Sequence, residues 1–434
     1  MTPPTPGAAA RPVERLVLDN GLRVVLAPDR SAPVVGVAVY YDVGFRSEPE
    51  GRTGFAHLFE HLMFQGSANV GKMEHAHLVQ GAGGTLNGST RSDYTNYYEV
   101  LPTPALELAL WLEADRMRSP RLTQETLDNQ VAVVTEEIQV NVLNRAYGGF
   151  PWILLPPVAF RTFANSHNGY GDVSELQAAT LEDAQRFFDR YYAPANAVLT
   201  VAGDLDVDEA AALVRRHFDA VPARPAPERP SFAEPPPDGE RRERVVDRLA
   251  PLPAVAVGWH GPDPLEEVDA ALATVVLDAV LTDGDASRLQ RRLVQDDQVA
   301  VEVAAYQGVF GDPFDSRGPV LHQVVAHHPR EVPVDRLLAA LDDELARVAT
   351  DGLEAGELQR VQARLVAEHL RAADSLLERT QQLSVFALQR DRPELVDELG
   401  AMLAAVTAES VREAAARMRP DARAVLELEA GGAR

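Results

Sequence analysis

Three features of the chain predict two similar α+β domains, each a mainly antiparallel sheet packed with helices, joined by a Pro-rich linker. Its 434 residues, 46% of them apolar, are more than one hydrophobic core usually holds together, so two domains are expected. The stretch Val221 to Glu240, VPARPAPERPSFAEPPPDGE, is dominated by proline and has no apolar period, which reads as an extended, semi-rigid linker. It leaves about 220 residues before it and about 195 after it, each an ordinary domain size. The flanks also run alike: each opens with strands, passes through helices and closes on a short strand. The predicted boundaries are therefore 1–220 for the first domain, 221–240 for the linker and 241–434 for the second.

Taken in order, Leu16 to Leu18, Arg23 to Ala27 and Val34 to Val43 read as strands, because β-branched residues alternate or run together between Asn-Gly and Pro breaks. Phe55 to Phe64 reads as a helix: Phe55, Leu58, Leu62 and Phe64 are apolar, Gly54 and Gly66 bracket the run, and nothing in it breaks a helix. Leu106 to Met117 and Asp128 to Arg145 carry helical periodicity. In the second flank, Val245 to Leu249 and Ala254 to Trp259 read as the opening strands, Pro333 to Ala349 and Ala355 to Ala372 as helices, and Val425 to Leu428 as the closing strand. Periodicity alone does not establish an internal duplication.

Composition removes several function classes. The 41 basic and 65 acidic side chains leave a formal charge of −24, which repels a phosphate backbone or an anionic membrane and disfavours nucleic-acid binding. The acidic residues are spread along the chain, as on a solvated surface; gathered in a concavity they would concentrate cationic peptides. With no cysteine there is no disulfide framework, thiolate nucleophile or thiolate metal site, so a metal must sit on His and carboxylates. The opening MTPPTPGAAARPVERL has no apolar stretch of signal-peptide length, and no later segment approaches a membrane span. A soluble, cytoplasmic protein is the expectation.

The chemistry is concentrated in HLFEH, with His57, Glu60 and His61. On a helix, positions 57 and 61 lie one turn apart on one face with 60 beside them. Two imidazoles at that spacing can hold one Zn²⁺, and the adjacent carboxylate can reach a water on it. The competing reading is two partly buried histidines on an amphipathic helix beside a solvent-facing Glu. Other histidines are weaker candidates. His75 and His77, at i and i+2, point apart on a helix, and His327-His328 is a dipeptide near a strand end. A further ligand should be a carboxylate or a third His. VAVVTEEIQV offers Glu136 and Glu137, flanked by Val133, Val134, Ile138 and Val140, and the residues alone leave both open.

Together these segments resemble the pitrilysin-like (inverzincin) metallopeptidases, whose zinc motif is H-x-x-E-H. Gly83 to Pro102, GGTLNGSTRSDYTNYYEVLP, is similar to the strand segment that follows the family's zinc helix. Asp128 to Ile138 resembles the helix that supplies the third ligand, and Asp283 to Leu293, DGDASRLQRRL, the start of the corresponding helix in the second half. In that family the ligand Glu stands four residues after the first of a valine pair. With Val133 and Val134 as the pair, the resemblance makes Glu137 the ligand, 76 residues after His61 (137 minus 61), with Glu136 second. It implies one Zn²⁺ per chain on His57, His61 and Glu137, with Glu60 as the general base that takes a proton from water and hands it to the leaving amine. It also implies a peptide lying as an added strand against the strand that carries Asn87 and Gly88. The first domain is then the zinc-binding peptidase domain, and the second a peptidase-like domain lacking the metal site.

The chain departs from the family pattern in three respects. Gln130 stands where members often carry a Glu that tunes the ligands. Gly88 replaces the usual alanine, which keeps the backbone open and loosens the strand. The third departure concerns the Arg, followed seven residues later by a Tyr, with which self-sufficient members bind the substrate carbonyl. Val294 and Val301 stand at those positions, with Arg291, Arg292 and Tyr306 out of register. The resemblance therefore implies a zinc endopeptidase subunit for small or unfolded peptides, completed by a homologous partner that supplies Arg and Tyr, in a heterodimer in preference to a homodimer. The alternatives are a catalytically silent structural subunit, against which the intact His57, Glu60, His61 and Glu137 speak, and an unrelated protein with a structural metal.

Overall fold

Residues 11 to 431 are described by the structure, a computed structural model; the first ten residues of the opening segment and the last three of the chain lie outside the described residues. The chain packs into two compact units that do not follow chain order. One joins Met1–Val134, Gly169–Pro230 and Glu368–Ala401, the other Thr135–Asn168, Ser231–Ala367 and Met402–Arg434.

The first unit is built on strands β1 (Glu14–Val17), β2 (Arg23–Pro28), β3 (Val34–Tyr41), β4 (Thr85–Thr90), β5 (Thr95–Pro102) and β6 (Ala197–Gly203). Their order is β1-β2-β6-β3-β5-β4, with β2 and β6 parallel and the other pairs antiparallel. β3 (VVGVAVYY) is buried at every position but its first, as a central strand covered on both faces must be. One cover is the helix Leu376–Arg390, from the last quarter of the chain. It packs tightly at Gly36, where a Cβ would stand 2.5 Å from Thr380 Oγ1, and Ser384 Oγ hydrogen-bonds Thr200 Oγ1 at 2.8 Å. The helices α1 (Phe55–Leu62), α2 (Glu74–Gly81), α3 (Leu106–Arg118) and α4 (Gln124–Ile138) complete the part of this unit that matters below.

The second unit carries β7 (Arg241–Asp247), β8 (Ala254–Gly261), β9 (Glu302–Gln307), β10 (Val320–His327) and β11 (Arg423–Ala430) in the order β7-β11-β8-β10-β9. Here β7 and β11 are parallel and the other pairs antiparallel. Aligned with β2 to β6 of the first sheet, the five strands have the same order and directions, so the similarity of the two halves is topological as well as compositional. Both sheets are mixed, each with one parallel pair in an otherwise antiparallel set. The core of this unit brings Phe150, Leu155, Val158 and Phe160 against Ala254, Leu321, Val325 and Leu426, so the segment that follows α4 serves the second sheet.

Several bounds shift from the sequence expectation for identifiable reasons. The stretch expected as one helix to Arg145 is α-helical only to Ile138 and continues as a π-helix over Gln139–Leu143, where the chain leaves for the second core. β7 begins at Arg241, earlier than its β-branched residues indicate, because Arg242 and Arg244 both pair with Glu427 on β11. It ends at Asp247, whose carboxylate accepts the Leu249 and Ala250 N–H groups at 2.7 and 3.2 Å. Val221 to Glu240 has no helix or strand, yet it is pinned: the Arg224 guanidinium lies 4.5 Å over the Phe188 ring, Arg229 Nε donates to Asp42 Oδ2 at 2.6 Å, and Phe232 is buried.

Candidate metal and peptide site

Helix α1 starts without a side-chain N-cap. Its first amides are met instead by the Glu48 carboxylate, which accepts from Gly54 N at 2.8 Å and Ala56 N at 2.7 Å, an anion placed on the positive end of the helix. Gly54 has φ +81°, and a Cβ there would lie 2.4 Å from the Tyr170 carbonyl oxygen, so only glycine fits. From this start the apolar period buries Phe55, Ala56, Leu58, Phe59 and Leu62. His57, Glu60 and His61 are left half-exposed together on the opposite face. The two imidazole rings stand 4.8 Å apart, edge to face, and the Tyr170 ring lies 5.0 Å from His57.

The carboxylate comes from α4, a single helix whose body belongs to the first unit. Leu127, Gln130, Val134 and Ile138 form its buried stripe, spaced at i, i+3, i+7 and i+11 as one helix face. Glu137, beside that stripe, is half-buried, while Glu136 points away and is exposed. Of the four apolar neighbours expected to mark a buried surface, Val134 and Ile138 do so, whereas Val133 and Val140 are exposed. Donor atoms of His57, His61 and Glu137 lie within 4.8 Å of one another. Two imidazole nitrogens and one carboxylate oxygen at that spacing are a donor set suited to Zn²⁺. Glu60 is outside that group; its Oε2 accepts the Thr90 hydroxyl at 2.8 Å.

Thr90 ends β4, which pairs with β5 and forms the edge of its sheet. Asn87 is exposed on it, its Oδ1 accepting the Gly88 N–H at 2.9 Å. Gly88 faces inward: a Cβ there would meet Asn96 O at 3.1 Å and the Phe64 and Tyr97 rings at 3.2 Å. The absent methyl thus relieves crowding beneath the strand, a consequence its residue type alone does not disclose. Glu48, Thr90 and Tyr170 are the neighbours that sequence reading missed. Thr90 lies inside the strand segment quoted above, but nothing local in the sequence singles out Glu48 or Tyr170.

The other sequence candidates fall elsewhere. His75 is buried and His77 exposed, as their spacing requires. His327 Nδ1 lies 3.8 Å from Glu302 Oε2 and its ring is edge-on to Tyr147, while His328 Nδ1 contacts the Pro329 carbonyl at 3.0 Å. Gln130 is buried and donates to Asn129 Oδ1 at 2.8 Å. Val294 sits in a π-helix, Gln290–Asp296, and Val301 is 52% exposed. The out-of-register groups are engaged: Arg291 with Glu354 and Arg292 with Asp297, and Tyr306 against the second core, where burial raises its phenol to about 12. No helix among the described residues is long and apolar enough to cross a membrane.

Comparison with known proteins gives the family. Residues 23–146 match the family model described as "Insulinase (Peptidase family M16)" and residues 178–365 the one described as "Peptidase M16 inactive domain". The chain is 30% identical to the zinc protease PqqE of Helicobacter pylori over 303 residues, which cover 68% of this chain and 66% of that protein. It is 25% identical over 415 residues to an uncharacterized zinc protease of Streptomyces coelicolor, covering 93% and 86%. A protease structure from Helicobacter pylori superposes with a TM-score of 0.88 at 24% identity, covering 96% of this chain and all of that one. An M16-like peptidase from Alicyclobacillus acidocaldarius gives 0.78 at 20%, covering 97% and 98%. The two matched segments hold HLFEH, the Asn87 strand, Glu137 and the start of the second half in one order, and the chain belongs to peptidase family M16, the insulinase-like family.

Proposed function

We propose that this chain is the metal-bearing subunit of a zinc endopeptidase acting on small or unfolded peptides. The observation that carries the reading is the meeting of His57, His61 and Glu137 on one spot, with Glu60 beside them and outside the donor group. His57, His61 and Glu137 would hold one Zn²⁺. When bound, such an ion acidifies water and polarises a peptide carbonyl.

The chain's own residues supply the rest. The Thr90 hydroxyl, donating to Glu60 Oε2, helps to orient that carboxylate, which takes a proton from the attacking water and returns it to the leaving amine. The peptide lies along β4, whose unpaired edge offers main-chain hydrogen bonds that do not depend on sequence, with Asn87 exposed toward it. Val294 and Val301 cannot donate hydrogen bonds to a developing oxyanion. A homologous partner chain therefore supplies an Arg and a Tyr and closes the chamber.

Glu60→Gln should keep one zinc per chain and lower peptide hydrolysis by about 10²–10⁴-fold, the usual contribution of a general base. Metal analysis and single-turnover rates on the same sample check both halves; loss of zinc from this variant would make Glu60 a ligand and overturn its role.

A further inference from the structure

Beneath the metal helix and the edge strand lies a buried polar group to which the proposed chemistry gives no part. His75 of α2, Glu99 of β5, and Glu113 and Arg116 of α3 are each at most 5% exposed. His75 Nε2 contacts Glu99 Oε1 at 2.5 Å, and Arg116 forks onto Glu113, with Nε donating at 3.2 Å and an Nη beside it. Donor atoms of His75, Glu99 and Glu113 lie within 4.8 Å of one another, a spacing that could hold an ion. The Arg116 guanidinium already supplies the positive charge there, which argues against a second metal.

The same guanidinium has a second use. Its carbon lies 4.2 Å over the Tyr97 ring and 5.3 Å over the Phe64 ring, and the two rings meet edge to face at 5.7 Å. Tyr97 donates its hydroxyl to the Phe59 carbonyl of α1 at 3.4 Å. Phe64, just beyond α1, and Tyr97 are also the rings that crowd Gly88 from below, each 3.2 Å from where a Cβ would stand. One cation therefore braces both the end of the metal helix and the floor of the edge strand. A buried ion pair is weak evidence for stability, because apolar residues of like volume often serve as well. What a planar, always-charged guanidinium adds is a fixed face on which two rings can stack.

Building on the reading of β4 as the peptide edge, we infer that Arg116 is a positioning residue for peptide docking. Through Tyr97 and Phe64 it holds the Gly88 segment of β4 at a set height against α1, and Glu113 holds Arg116. Substrate binding should depend on it, and metal binding should not.

The test is the full chain carrying Arg116→Gln with Glu113→Gln, which removes the cation and its forked partner together and leaves Glu99 against His75. It is assayed with zinc and with the partner chain if activity needs one. The variant should keep one zinc per chain and kcat within about twofold, while KM rises about tenfold and the amides of Thr85–Thr90 exchange about tenfold faster, the scale of two cation–π contacts at the low end of their range. If that pair does not fold, Phe64→Leu lifts one ring from the guanidinium at little cost in volume and is judged by the same readouts. Unchanged KM and unchanged β4 exchange in a folded variant would overturn the inference. If the wild-type chain cleaves no peptide under any of these conditions, the peptidase reading fails, while the exchange rates still decide whether Arg116 holds the strand.

Discussion

Glu136 and Glu137 are adjacent in the chain and alike in chemistry, and helix packing separates them. With Val134 and Ile138 buried, a rotation of about 100° per residue carries Glu137 beside the histidines and Glu136 out to solvent. Glu137→Gln should therefore weaken zinc binding by more than the roughly 10–100-fold that loss of an outer-shell partner costs, since a neutral amide is a poor ligand. Glu136→Gln should leave affinity unchanged. Competition against a chelator measures both, and the reverse order would show that α4 is turned the other way. Gln130, which the family resemblance marks as a missing carboxylate, is buried in the same stripe, so its effect is read through α4 rather than at an exposed position.

At the scale of elements, α2, β5 and α3 are tied by charges that burial has altered. Burial raises Glu99 and Glu113 from 4.5 to about 7, against the opposing pull of Arg116, and burial lowers His75 from 6.5 to about 4. Between pH 4.5 and about 7 the folded protein holds protons on the two carboxyls that the unfolded chain has released, so their contribution to stability falls as pH rises through that window. His75 acts with the opposite sign between about pH 4 and 6.5, one imidazole against two carboxyls. The metal-free chain should thus lose stability from pH 5 to pH 7.5 in urea titrations, and Glu99→Gln should flatten that slope. A wild-type slope of the opposite sign would mean that both carboxylates are ionised throughout. Removing metal first keeps pH-dependent loss of the ion from entering the measurement.

For the whole molecule, the repeated strand order implies two copies of one plan put to different uses. In the second unit the helix Val268–Thr282 takes the place of α1 between the second and third strands of the repeat. Among its buried residues it carries Asp278, hydrogen-bonded to His322 at 2.5 Å and Gln307 at 3.2 Å. On the proposal that Val294 and Val301 stand at the carbonyl-binding positions, the purified chain should bind zinc and cleave peptides slowly. Adding the partner should raise the rate by about 10²–10³, the usual worth of an oxyanion donor, without adding metal. Activity titrated against partner, with zinc counted in parallel, checks this; full activity from the chain alone as a monomer would refute a divided site.

Local chemistry was legible from the residues where it depends on spacing within one element. HLFEH places two imidazoles and a carboxylate on one helical face whatever the surroundings; the β-branched strands and the amphipathic helices announce themselves by period, and the proline run by composition. Choosing between Glu136 and Glu137 already needed the family resemblance, because that choice depends on which face of α4 is buried. Contacts between residues distant in the chain were not legible at all. Glu48 on the start of α1, Phe64 beneath Gly88, Arg116 beneath both, and the helix Leu376–Arg390 on the first sheet carry no local signature. Each satisfies a buried surface or an unpaired polar group that exists only once the chain has folded.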